Sequence, residues 1–140
     1  MQILLLLFHL ARPAGVPSIG WEDFFSLVTP RGVEYSERLR SLDGHRVRLR
    51  GYSALNPSLP GGMLLTRMPY DEPHEVEETD VPYDAVAIFW RKGLALPPIP
   101  RRPTVEGTLR VGNRDTGPVT VALSLDDATP VIASSADTRR

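Results

Sequence analysis

Two clusters in this sequence hold residue types that do chemistry. The first is acidic: Asp71, Glu72, Glu75, Glu77, Glu78 and Asp80, with His74 among them and Asp84 just beyond. Residues 71–84 carry seven acidic and no basic side chains, while the stretches before and after them each carry a net charge of +3. Clustered carboxylates are the oxygen ligands of a hard cation such as Ca²⁺. The spacing, however, lacks the glycine turn and closing glutamate of an EF-hand loop. The plainer reading is a solvated acidic loop, or one that lies across a basic strand. The second cluster is basic. Arg46, Arg48 and Arg50 alternate with Val47 and Leu49, so the three arginines project from one side of a strand. Arg110 is expected on a neighbouring strand, and Tyr52, Tyr70, Phe89 and Trp90 are the aromatic side chains available beside it. A basic groove with aromatic platforms is the equipment of a single-strand nucleic-acid binder. Of the adjacent pair Phe89 and Trp90, a regular strand turns one toward the core.

No catalytic constellation accompanies these clusters. The histidines are His9, His45 and His74. No serine or threonine stands in a nucleophile-elbow or triad context. Gly61-Gly62 is too short for a phosphate loop and is not followed by the lysine that such a loop needs. The absence of cysteine excludes disulfides, thiolate metal sites and thiol nucleophiles. The expectation is therefore a protein that is not an enzyme and holds no cofactor. Arginine makes up 15 of the 16 basic residues. Genome composition explains such a bias, so its abundance is not counted as a binding signal. A net charge of −1 gives no overall attraction to nucleic acid or to an anionic membrane.

These residues must be positioned by something, and 140 residues with 41% hydrophobic content allow one globular domain. The apolar run Ile3 to Ala11 is too short to span a bilayer and fits the core of a secretory signal, although no basic residue precedes it and His9 interrupts it. Residues 1–15 are read as that signal. The alternative is a helix packed on the domain. Residues 16–35 are read as a linker and a short helix, since Trp21, Phe24, Phe25 and Val28 follow helical spacing. Ser36 to Leu42 forms one further helical turn, and Asp43-Gly44 a tight turn. Residues 36–132 then hold five strands: His45 to Tyr52, Met63 to Met68, Asp84 to Trp90, Thr104 to Val111, and Pro118 onward. Gly51 marks a bend in the first. Pro97, Pro98, Pro100 and Pro103 make the link before the fourth extended and stiff, a preformed segment of the kind that recognition surfaces use. Residues 133–140 are read as a disordered tail. A mainly β fold follows: a small five-stranded OB-like barrel with a short N-terminal helix, with an SH3-like barrel or an open β-sandwich as alternatives.

The segment Leu42-Asp43-Gly44-His45-Arg46-Val47-Arg48-Leu49-Arg50-Gly51-Tyr52 resembles the opening of a family of uncharacterised small bacterial exported proteins with an OB-like barrel. Met63-Leu64-Leu65 and Val105-Glu106-Gly107-Thr108-Leu109 are similar to two later strands of that family. The resemblance covers about residues 39–130 and implies a fold and an exported location. The family also carries a Cys and a His before a proline run. This chain has no Cys, and its corresponding loop has His74 alone, so no role tied to that motif is carried over.

The reading of the sequence is a non-enzymatic ligand- or protein-binding accessory module of the bacterial envelope, periplasmic or secreted, with no transmembrane span in the mature chain and with an unknown protein or small ligand as partner. Its candidate binding residues are Arg46, Arg48, Arg50, Tyr52, Tyr70, Trp90 and Arg110. Its weaker metal candidates are Asp71, Glu72, His74, Glu75, Glu77, Glu78 and Asp80. The alternative is a cytoplasmic OB-fold protein that binds single-stranded nucleic acid through the Arg46, Arg48 and Arg50 face.

Overall fold

Alternation of polar and apolar side chains, punctuated by glycine and proline, dictates strands over most of this chain, and strands are what form. The computed structural model describes residues 15–54, 59–69 and 82–132. Its strands are β1 (Phe25–Thr29), β2 (Gly32–Tyr35), β3 (Arg46–Arg50), β4 (Tyr52–Ala54), β5 (Gly62–Thr66), β6 (Val86–Trp90), β7 (Thr104–Asp115) and β8 (Thr120–Val131). One helical turn, α1 (Glu37–Ser41), precedes β3. Ser36 caps it by accepting the Leu39 N–H at 3.1 Å. Gly44 completes the following turn at φ +82°, a region that residues with a Cβ rarely enter. Its N–H donates to the Leu109 carbonyl at 2.8 Å, tying the start of β3 to β7.

The protein is a small, mainly β-sheet protein. β1 and β2 form a two-stranded hairpin, and the other six strands form one sheet in the order β3-β7-β8-β6-β5-β4. All pairs in the large sheet are antiparallel except β6 with β8. The expected five strands become six because Gly51 divides the first into β3 and β4. A Cβ at Gly51 would meet the Thr66 carbonyl oxygen at 2.8 Å and the Trp21 ring at 2.6 Å, so only glycine fits. β3 and β4 stand at opposite ends of the sheet order and are not paired with each other. The backbone at this division is nevertheless engaged: Gly51 N–H donates to the Pro103 carbonyl at 3.2 Å and Ser53 N–H to the Arg101 carbonyl at 2.8 Å.

The core lies on both faces of the sheet. Val47, Leu49, Leu65, Val86, Ile88, Val105, Leu109, Leu123 and Leu125 form the larger cluster. Leu64, Ala85, Ala87, Val119 and Val121 form a smaller one, with Phe89 packed against it. The 12-residue strands β7 and β8 supply Val105, Leu109, Leu123 and Leu125 to the larger cluster, and β8 also supplies Val121 to the smaller one.

The segment before α1 departs from expectation. Only Trp21–Asp23 is helical, as a single 3-10 turn, and Phe25–Thr29 is extended. Helical spacing at Trp21, Phe24, Phe25 and Val28 loses to the Thr29-Pro30-Arg31-Gly32 turn, which pairs β1 with β2. Gly32 enters β2 at φ +140°. The stretch read as a linker also belongs to the fold. Ile19 N–H donates to the Arg48 carbonyl and Arg48 N–H to the Pro17 carbonyl, both at 2.9 Å, so residues 17–19 line the outer edge of β3. Ile19 and Phe24 are buried in the larger cluster.

Candidate binding face

The alternation of β3 sends Val47 and Leu49 inward and leaves Arg46, Arg48 and Arg50 outward, as the sequence predicts. What lies opposite them is decided by register. Arg48 is paired with Glu106 and Arg46 with Thr108, so Glu106 sits between the two guanidinium groups. Arg46 Nε donates to Glu106 Oε2 at 3.2 Å and Arg48 Nε to Glu106 Oε1 at 3.1 Å. Burial pushes the Glu106 carboxyl up, but hydrogen bonds from Arg48 and Arg46, and their charges, outweigh it and hold the group below its ordinary value.

β8 contributes the second anchor. Its register shifts against both β6 and β7 near Asp127, which takes φ +49°. This bulge turns two successive carboxylates, Asp126 and Asp127, toward the arginines of neighbouring strands. Arg91 holds Asp127 with a fork of two bonds, at 2.9 and 3.0 Å, and Arg46 reaches it at 3.3 Å. The Arg91 hydrogen bond is the main reason that the Asp127 carboxyl lies below its usual range. Arg110 Nε lies 3.3 Å from Asp126, and Arg114 Nη1 lies 2.6 Å from it. Arg114 also donates to the buried Ser124 hydroxyl and stacks over the Phe89 ring at 4.2 Å.

The result is a lattice of five arginines and three carboxylates across β3, β7, β8 and the residue after β6. It leaves two positive charges in excess. Among the described residues, the terminal guanidinium nitrogens of Arg48 and Arg110 have no partner. Arg50 is exposed next to Arg48 along β3, at the end of the strand away from Arg110, and its carbonyl accepts the Trp21 indole N–H at 2.8 Å.

The structure gathers Arg46, Arg48, Arg50 and Arg110 on this face and, of the expected aromatics among the described residues, brings Phe89 to it, beneath Arg114. Trp90 packs half-buried against the larger core cluster, and Phe89 takes the other face, as strand alternation requires. Tyr52 lies half-buried beneath Arg102, whose guanidinium carbon is 5.4 Å from the ring centre. Tyr70 falls outside the described residues, as do Asp71, Glu72, His74, Glu75, Glu77, Glu78 and Asp80. Among the described residues, no group of His, Asp and Glu could hold a metal ion. Asp84, at the described end of the acidic segment, has its carboxyl pushed up by burial, against its own backbone hydrogen bond and the charge of Arg67.

No protein-family model matches the chain, and no curated protein does. One solved structure does. It is the crystal structure of a DUF3299 family protein from Pseudomonas aeruginosa, 17% identical, covering 86% of this chain and 100% of that one with a TM-score of 0.50. At that identity the likeness is one of fold.

Sequence reasoning missed Glu106, Asp126, Asp127, Arg91 and Arg114 as members of this face. Alternation in Val105-Glu106-Gly107 was the available signal for Glu106. The bulge that turns Asp127 outward leaves no signature short of the strand register. Glu106→Gln tests the lattice. It is expected to cost about 1 kcal/mol at neutral pH, as a hydrogen-bonded but partly exposed charge does. Because the folded carboxyl is held below its unfolded value of about 4.3, its contribution is full above that value. It is lost as pH falls through the folded value. Urea unfolding from pH 7 to pH 3 is therefore expected to fall less steeply for the variant. Parallel curves would contradict the pairing.

Proposed function

We propose that this protein is a non-enzymatic accessory module of the bacterial envelope, built on an OB-like barrel, that binds a protein or small anionic ligand through the arginine–carboxylate face. The barrel reading is supported by the strand order. β3 and β4 stand at its two ends but follow each other in the chain, so one bent strand reaches both β7 and β5. The parallel pairing of β6 with β8 and the bonds from Gly51 and Ser53 to residues 101 and 103 fit the same arrangement. The envelope reading is supported by the apolar run Ile3 to Ala11. Among the described residues, no helix is long and apolar enough to cross a membrane.

The observation that carries the binding reading is the lattice itself. Its arginines are held in fixed positions by carboxylates, with a surplus of positive charge directed outward. Internal carboxylates compete with phosphate, so the face is poorly suited to a nucleic-acid backbone and better suited to a partner with a few placed acidic groups. The non-enzymatic reading rests on the sequence, in which no serine or threonine stands in a nucleophile-elbow or triad context.

A photo-crosslinking residue placed at Arg50 in the full chain, expressed in its native cells, tests this. A crosslink to a protein of the envelope fraction is expected, falling at least tenfold in an Arg48→Glu, Arg110→Glu variant. A cytoplasmic crosslink to nucleic acid, together with a salt-steep anisotropy change on labelled single-stranded DNA, would overturn it in favour of the nucleic-acid alternative.

A further inference from the structure

The link between β6 and β7 carries chemistry that the arginine face does not use. We propose that Leu96 to Arg102 is a preformed extended ligand for a partner protein whose groove is lined with aromatic side chains and rimmed with carboxylates. This deepens the binding-module reading by naming a partner class.

The segment reads Leu96-Pro97-Pro98-Ile99-Pro100-Arg101-Arg102. Two apolar–proline pairs, Leu96-Pro97 and Ile99-Pro100, stand three residues apart. A polyproline helix has three residues per turn, so the two pairs share one side. Arg102 is three residues beyond Ile99, at the bend over residues 101–102 that closes the extended run. That pattern is how proline-rich ligands fill successive aromatic slots and end in an acidic pocket.

The fold holds this segment taut and presents it. At its start, Gly93 takes φ +77°, and Leu94 N–H donates to the Arg91 carbonyl at 3.2 Å. At its end, Ser53 donates from its backbone to the Arg101 carbonyl at 2.8 Å and from its hydroxyl to the Pro100 carbonyl at 3.3 Å. Between these anchors, residues 95–99 make no backbone hydrogen bond among the described residues. Prolines at 97, 98 and 100 fix φ and remove three donors, so the chain is extended without being part of a sheet. Leu96 is 45% exposed and Pro100 is exposed, while Pro97 and Ile99, the other members of the two pairs, are half-buried. A segment already held in its binding conformation loses little entropy when it docks.

The charge points to the acidic rim. The five arginines of the lattice all have carboxylate partners. Arg102, in contrast, has no carboxylate partner among the described residues and is held only over the Tyr52 ring. Tyr52 thus aims a free positive charge from the end of the proline ridge, where a partner carboxylate pairs with it at no loss to the fold.

The test is an NMR titration of the ¹⁵N-labelled full chain with an isolated SH3 domain that has an acidic specificity pocket. Saturable shifts are expected at Leu94, Leu96, Ile99, Arg102 and Tyr52. Arg102→Glu and the double variant Pro97→Ala, Pro100→Ala are each expected to weaken binding at least tenfold, with the remaining spectrum unchanged. No shift up to a millimolar concentration of the domain overturns the proposal. So do shifts confined to the Arg48 and Arg110 face or to the β1–β2 hairpin. Such a failure leaves the Arg50 crosslink untouched, whereas loss of that crosslink with the proline shifts intact removes the arginine-face reading alone.

Discussion

Phe24→Ala is expected to destabilise the protein by about 3 to 5 kcal/mol, the usual cost of removing a fully buried ring. Phe24 is 0% exposed, in the stretch whose apolar spacing predicts a short helix. Its ring lies 5.0 Å from that of Trp21 and meets the Phe25 ring edge-on at 6.1 Å. Its carbonyl accepts the Ser36 N–H at 3.0 Å, and the Ser36 hydroxyl donates to the neighbouring Asp23 carbonyl. The residue therefore holds the approach to α1 and closes one side of the larger core cluster. Removing the ring opens a cavity that these hydrogen-bonded backbone segments cannot collapse to fill, which places the cost toward the upper end of the range. Urea unfolding of the full chain measures it, and a loss under about 1 kcal/mol would show that residues 15–35 are peripheral after all.

Gly51→Ala is the second large effect, expected to cost about 2 to 3 kcal/mol from overpacking. The added carbon meets Trp21 at 2.6 Å, the Thr66 carbonyl at 2.8 Å and Leu65 at 2.9 Å. Trp21 and Leu65 are side chains that can move. The Thr66 carbonyl is backbone, in a strand paired with β4 through Tyr52 and Thr66. Relief therefore requires β4 to shift away from β5, or Trp21 to leave and give up its hydrogen bond to the Arg50 carbonyl. The second route changes tryptophan fluorescence in the native state as well as the unfolding midpoint. Thermal unfolding followed by that fluorescence reads both. An unchanged midpoint with unchanged fluorescence would mean that the bend at Gly51 has room to spare.

Several features were legible from the residues alone. Alternation in Arg46 to Arg50 specifies which side chains face the core, because a strand permits only two directions. Glycine at 44 and 51 and proline around 97–103 mark a turn, a bend and an extended link, because each residue constrains the backbone locally. The acidic block and the arginine stripe were also visible, and with them the two competing ideas of a cation site and a nucleic-acid groove.

Other features depend on contacts between residues far apart in sequence. Helical spacing at Trp21 to Val28 yields to a hairpin, since pairing with β2 and burial of Phe24 outweigh a weak local preference. The first strand counts as two because its halves find different partners. Above all, the arginine stripe changes meaning. Arg48 faces Glu106 across a strand boundary 58 residues away in sequence, and the bulge at Asp127 brings a second carboxylate to Arg46. Charge type and side-chain direction are local properties and can be read from the sequence. Whether a charge is spent on a neighbour or left for a partner is set by strand register, which exists only once the sheet has formed.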